Sequence, residues 1–184
     1  MKAVIITAEG HQDEEYCAAL YCLQMAGVEV SVATLDGKDK IGKFGVPARA
    51  TMSTAQLDTA NFDAVVLPGG FEAPDRVRLI PEVLNFVAAM NAQNKLVAAI
   101  CHAGSILISA GIVRGRNVTA YWSIKDDLLN AGAVYHHKVP VVVDGNLISS
   151  PHYKWNGDFM RAVCKYLEDK EREDAIKRSY VAAP

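Results

Sequence analysis

The chain has 184 residues, a formal net charge of −2, 51% hydrophobic and 22% charged residues, a balance that marks a globular chain able to bury its own core and excludes disorder. Near-neutral charge without a basic run gives no footing for a nucleic-acid partner, and no apolar run nears the roughly 18 residues that span a bilayer. Cysteines at 17, 22, 101 and 164 show neither C-x-x-C spacing nor a His/Cys metal cluster, so the chain is expected to be cytoplasmic, reduced and metal-free.

In chain order, Lys2 to Thr7 reads as a first strand, followed by a polar loop, Ala8 to Asp13. Glu14 to Met25 has helical spacing with Ala18, Ala19, Cys22 and Leu23 on one side, and Gly27 stops it. Val28 to Ala33 is the next strand. Gly37, Gly42, Gly45 and Pro47 then suggest a small hairpin or irregular arm. Ser53 to Asp58 is expected as a short helix and Asp63 to Leu67 as a buried strand, broken abruptly by Pro68-Gly-Gly70. Pro81 suits the first turn of an amphipathic helix over Glu82 to Gln93.

A strand from Lys95 to Ile100 runs straight into Cys101 and His102, and Ser105 to Ala110 reads as the helix that follows. Asn117 to Tyr121 is expected as a strand and Ser123 to Leu129 as a helix capped by Ser123. Ala133 to Val143 and Asn146 to Ser149 read as strands joined by an Asp144-Gly145 turn. Lys154 to Lys170 is the last long helix, and the charged residues 171–184 read as a loose tail or docking arm. Alternating strands and helices over residues 1–170 imply one α/β domain: a flavodoxin-like three-layer sandwich, its mostly parallel central sheet covered by helices on both faces.

A residue at a sharp strand-to-helix bend lies at the carboxyl edge of such a sheet, where sites of open α/β folds form. A thiol placed there beside a helix N-terminus is expected to have a lowered pKa, which makes Cys101 the candidate nucleophile. A thiolate attacking a carbonyl needs an oxyanion hole. The backbone N–H groups of Gly70, in the turn after the neighbouring buried strand, and of His102 are the candidates. Of the acidic run Asp13-Glu14-Glu15, two carboxylates complement the helix dipole, and Glu15 is chosen as the one that turns inward to the sulfur. The His102 ring, adjacent in sequence to the nucleophile, is expected to point away from it unless an acid fixes it, one from another subunit included.

The chain resembles the ThiJ/PfpI superfamily, which is class I glutamine amidotransferase-like, and most of all its PfpI-type intracellular protease branch. The matching stretches are Gly42-Lys-Phe-Gly45, Phe62-Asp-Ala-Val-Val-Leu-Pro-Gly-Gly70, Arg76-Val-Arg78, Ala99-Ile-Cys-His-Ala-Gly104, Leu107-Ile-Ser-Ala-Gly111, Ile124-Lys-Asp-Asp-Leu-Leu-Asn-Ala-Gly132, Val142-Val-Asp-Gly-Asn146 and Ser149-Ser150. The resemblance implies Cys101 as elbow nucleophile, Glu15 as the buried glutamate against its sulfur, and Gly70 and His102 as oxyanion-hole amides. It implies Asp75 as the acid that reaches His102 of a neighbouring subunit, Tyr121 as a residue lining that site, and a homodimer or higher homo-oligomer. Trp122 widens the aromatic lining of the substrate pocket. Three positions depart from the branch: Gln12 stands where a second Glu is common, Asp75 is shorter than the usual Glu, and Pro151-His-Tyr-Lys-Trp-Asn-Gly-Asp158 replaces Arg-x-Pro-x-Asp.

The implied function is a cysteine-dependent hydrolase or hydratase, of the protease/amidase, glyoxalase or deglycase type. It acts on a small carbonyl compound or peptide, without cofactor, nucleic acid or membrane. The alternative is a non-enzymatic redox sensor or stress chaperone in which Cys101 is oxidised.

Overall fold

A computed structural model describes residues 1–181. The chain runs β1 (Lys2–Ile6), α1 (Asp13–Met25), β2 (Glu29–Thr34), β3 (Lys40–Ile41), β4 (Pro47–Ala48), β5 (Met52–Ser53), β6 (Ala64–Leu67), α2 (Ala73–Val77), α3 (Pro81–Ala92) and β7 (Leu96–Ile100). It continues through α4 (Gly104–Ser109), β8 (Asn117–Val118), α5 (Lys125–Asn130), β9 (Val134–Tyr135), β10 (Val142–Asp144), β11 (Leu147–Ser150) and α6 (Asn156–Val181). Seven strands form one sheet in the order β10-β11-β7-β6-β1-β2-β5. All its neighbours are parallel except β10 and β11. This is the expected flavodoxin-like sandwich.

The central strands are apolar along their whole length because both faces are covered. Alternate residues of β1, β6 and β7 divide between two cores. Val4, Ile6, Val65, Leu67, Val97 and Ala99 pack with Val83, Phe86, Ile106 and Leu128 of α3, α4 and α5. Ala3, Ile5, Ala64, Val66, Ala98 and Ile100 pack with Tyr16, Ala19 and Leu23 of α1 and with Phe159, Met160, Val163 and Leu167 of α6. Each fully buried Leu, Ile, Val or Phe side chain contributes about 1.5–3 kcal/mol, so the two layers clamp the sheet and fix the ends of β1, β6 and β7 against one another. Cys101 belongs to the α1/α6 layer, directly after β7.

Several expectations are corrected. The stretch read as a helix from Ser53 is a single 3-10 turn, Thr54–Gln56. Only Asn117–Val118 of the strand expected to reach Tyr121 is extended, and it pairs with Val134–Tyr135 in a small separate sheet. The strand expected over Ala133 to Val143 breaks between Tyr135 and Val142, a stretch that holds Lys138 at φ +55° and Pro140, and neither suits a continuous ladder. The Asp144-Gly145 turn does join antiparallel β10 and β11. The Gly42 arm is a hairpin, β3 against β4, whose Phe44 and Val46 N–H groups donate to the buried Asp13 carboxylate at 2.9 and 2.7 Å. That makes Asp13 a tie between the hairpin and α1 rather than only a dipole partner.

The charged tail is not loose through residue 181: α6 continues unbroken past Lys170. Its charges sit at helical spacing, with Lys165–Asp169 at 2.8 Å and Lys170–Glu173 at 3.7 Å, each such pair worth about 0.3–0.5 kcal/mol. Residues 182–184 of that expected tail lie outside the described residues. No helix among the described residues is long and apolar enough to cross a membrane.

Candidate active site

β7 ends at Ile100, and the chain turns through Cys101 in the left-handed region, φ +61°, into a 3-10 turn and α4. A non-glycine residue held there is strained by about 1–3 kcal/mol, and only a closely packed surround sustains it. The surround is the turn after β6. A Cβ on Gly69 would stand 2.7 Å from Cys101 Cβ and 2.7 Å from Glu15 Oε2. One on Gly70, at φ +127°, would stand 2.5 Å from the Gly10 carbonyl oxygen and 2.8 Å from His11 Cα. Both positions therefore demand glycine, and Pro68-Gly-Gly70 is a fitted wall rather than a generic turn. An antiparallel bridge between His11 and Gly70, and the Gln12 N–H donating to the Gly69 carbonyl at 3.0 Å, lock this wall to the start of α1.

That lock carries Glu15 inward. Its side chain is buried, and Oε2 accepts the Gly69 N–H at 2.7 Å. Burial raises its pKa to about 7, against the Gly69 N–H and the Cys101 thiol, which favour the carboxylate. Cys101 is 7% exposed. Burial pushes its thiol up, the Glu15 carboxylate adds to this, and the N–H groups of His102 and Gly70, which face the sulfur, pull the other way. This corrects the expectation that the helix end sets a low thiol pKa: six-residue α4 follows a 3-10 turn, and burial beside a carboxyl outweighs the dipole. The pair behaves as one unit. With Glu15 protonated the like-charge repulsion is gone, and a thiolate faces a neutral carboxylic acid and two N–H groups.

The His102 ring does not point away. Nδ1 lies 3.3 Å from Cys101 Sγ, and Nε2 lies 3.1 Å from Ser123 Oγ. The ring stacks on Tyr121 with centroids 4.4 Å apart. Desolvation lowers its pKa, and the field of Asp75 raises it. Asp75 itself sits exposed on short α2, and within this chain no hydrogen bond among the described residues joins it to His102. Its expected contact is one between subunits, and the inner geometry assembles without it.

These groups open on a cavity of about 210 Å³. Its lining is Cys101, His102 and Gly70, the rings of Tyr121, Phe71, His152 and Tyr153, and the side chains of Gln12 and Lys43. Trp122, expected in the lining, stands one ring further out, stacked on Tyr121 at 4.1 Å and parallel to His152 at 5.6 Å. The segment after Ser150 thus supplies two of the lining residues. Two larger hollows of about 340 Å³ each, one between α1 and β2 and one beside Glu9 and Arg76, lie away from the cysteine. Of their charged residues, Arg49 pairs with Asp39, Lys40 with Asp36 and Arg76 with Glu72, and Glu9 accepts the Ile41 N–H at 3.0 Å.

Sequence reasoning brings together Cys101, His102, Glu15, Gly70 and Tyr121, and misses Lys43, Phe71 and the Ser123 contact. Gly69 is legible in the sequence, being half of the Gly-Gly pair. Ser123 reads in the sequence only as a helix cap, and it caps nothing by its side chain. Among the described residues no three His, Cys, Asp or Glu side chains gather as a metal-holding group.

A parallel sheet whose central strand ends in a strained cysteine, facing backbone N–H groups and a buried glutamate, defines an α/β protein of the cysteine-elbow class. The DJ-1/PfpI family profile matches residues 1–166, and the chain belongs to that family. It is 39% identical over 165 residues to a protein named a deglycase from Pyrococcus horikoshii, covering 88% of this chain and 98% of that one. It is 38% identical, with the same coverage, to the deglycase PfpI of Pyrococcus furiosus. The crystal structure of Drosophila melanogaster DJ-1beta superposes with a TM-score of 0.86 at 30% identity, covering 100% of this chain and 98% of that one.

Proposed function

We propose that the protein is a cysteine-dependent enzyme of the deglycase or glyoxalase kind, acting on a small carbonyl compound and, less well, on short peptides. The observation that carries this reading is the Cys101 sulfur, held at a φ of +61° with the His102 Nδ1 3.3 Å away and beside a buried carboxyl whose pKa is raised to about 7, while the N–H groups of His102 and Gly70 favour the thiolate. Attack by the thiolate forms a C–S bond while the carbonyl electron pair moves to oxygen. The two N–H groups receive that charge, and neutral Glu15 or the imidazolium of His102 delivers the proton, leaving a hemithioacetal. For an α-oxoaldehyde, moving the hemithioacetal C–H proton to the neighbouring carbon through an enediol gives a thioester. Water then cleaves it to a hydroxy acid and frees the thiol, so aldehyde plus water balances product without an oxidant. A cavity of about 210 Å³ falls below the roughly 300–1,000 Å³ of drug-sized sites, which favours small aldehydes over folded protein.

The test assays wild type and Cys101→Ala with methylglyoxal and with a fluorogenic peptide. Wild type is expected to form lactate from methylglyoxal and Cys101→Ala to match buffer, a loss of at least roughly a thousandfold in kcat/KM. Turnover of neither substrate in a Cys101-dependent way overturns the proposal and leaves oxidation sensing as the reading of the same thiol.

A further inference from the structure

We propose that Ser123 is a positioning residue for the Cys101–His102 pair, so that a single chain supplies a complete Cys–His–Ser relay. The inference rests on the nucleophile reading above and goes beyond it by naming what holds the base. His102 is fixed at three points: Nδ1 at 3.3 Å from the sulfur, Nε2 at 3.1 Å from Ser123 Oγ, and its face on Tyr121 at 4.4 Å. The segment holding the last two is itself tied to the elbow, because the Tyr121 N–H donates to the Cys101 carbonyl at 3.1 Å. Its close approach depends on Gly104, where a Cβ would stand 2.8 Å from Ala120 Cβ and 3.0 Å from Ile124 Cδ1. The loop carrying Ser123 therefore packs directly on the first turn after the nucleophile.

The chemistry follows from the hydroxyl's two roles. With Oγ accepting from Nε2–H, Nδ1 is left bare and faces the thiol. When the proton passes, the S–H bond breaks, an Nδ1–H bond forms, and the imidazolium keeps Nε2–H on an acceptor already in place. No further proton has to move. Other ionisable groups reach this pair from different sides: Glu15 across the sulfur, Asp75 from α2 through space, and His152 from behind Tyr121. Ser123 is the group in hydrogen-bond contact with the outer nitrogen.

The experiment follows iodoacetamide alkylation of Cys101 in the full chain against pH, by mass spectrometry of the Cys101 peptide so that Cys17, Cys22 and Cys164 do not interfere. In Ser123→Ala the rate at pH 7 is expected to fall roughly three- to tenfold, the size of one neutral hydrogen bond, and the midpoint to move to higher pH. Ser123→Thr, which keeps the hydroxyl, is expected to restore both. A merely structural role shifts the melting temperature and leaves the midpoint where it was, which overturns the proposal. So does a Ser123→Thr profile as slow as Ser123→Ala, or a profile that moves with Asp75→Asn and not with Ser123→Ala. Because alkylation needs no substrate, a chain inert toward carbonyl compounds still answers the question, and the two proposals fail separately.

Discussion

The inner wall and the outer rim of the site are built on opposite principles. The wall, made of Gly69, Gly70, Cys101 and Glu15, is buried and sterically determined: a single added carbon at either glycine would collide with backbone or with the Cys101 and Glu15 side chains. The rim, made of Tyr121, Trp122, His152 and Tyr153, is half-exposed and held by ring contacts, stacked at 4.1–5.9 Å and tilted at 4.0 Å between His152 and Tyr153. Steric fit has one solution, whereas stacked aromatic rings slide and substitute at a cost of about 0.5–1.5 kcal/mol per pair. On the proposed function, the wall is where the reaction is fixed and the rim is where the substrate is chosen.

The sharpest way to break the comparison is Gly70→Ala. The new Cβ meets three backbone groups of residues 10–12 at 2.5–2.9 Å at a φ of +127°, and none of them is a flexible side-chain end. We expect a loss of about 3 kcal/mol or more in urea unfolding, together with loss of Cys101-dependent turnover. A variant that melts like wild type would show that the wall is not sterically fixed.

Glu15→Gln probes the wall's electrostatics. The folded-state carboxyl is raised from 4.5 to about 7 by burial, so the folded chain keeps a proton that the unfolded chain has already lost. Stability is therefore full below about pH 4.5 and falls as pH climbs toward 7, by about 3 kcal/mol at most. The neutral amide that replaces the carboxyl carries no such linkage. Urea titrations at pH 5 and pH 8 are expected to show wild type losing stability with rising pH and the variant holding its own, while kcat/KM drops about a hundredfold for want of the acid. Parallel pH dependences would remove Glu15 from the buried pair.

Much of the wall is legible in the sequence for the reason that makes it rigid. Buried parallel strands declare themselves as Val-Val-Leu and Val-Ala-Ala-Ile runs, and a Gly-Gly or Cys-His pair at their carboxyl ends has little choice of location. The short elements are not legible. α2 and the 3-10 turn at Thr54 owe their form to the layers they lie against, and β8 and β9 are two residues each. The helical course of residues 171–181 escapes a reading that weighs charge density without its three- and four-residue spacing. The thiol's environment misleads for a different reason: a helix end is visible in sequence, but the depth of burial and the distance to a carboxyl from α1 are tertiary facts. The ring of His102 faces the sulfur because Tyr121 and Ser123 hold it, and both lie some twenty residues further along the chain.

The smallest expected effect sharpens the rim. Trp122 stacks on Tyr121 and lies parallel to His152, with Lys138 Nζ 5.3 Å from its ring centre. Removing it in Trp122→Ala takes away one stacked layer and no group that faces the sulfur, so stability is expected to fall by about 1 kcal/mol. Tyr121 then loses its backing while its own contact with His102 at 4.4 Å remains. A looser Tyr121 weakens the substrate's fit in ground and transition states alike, which raises KM severalfold and leaves kcat within about twofold. Steady-state kinetics with methylglyoxal separates the two parameters. A kcat loss as large as that of Glu15→Gln would mean that the outer rings position the reacting groups, and the division between a wall that reacts and a rim that selects would no longer stand.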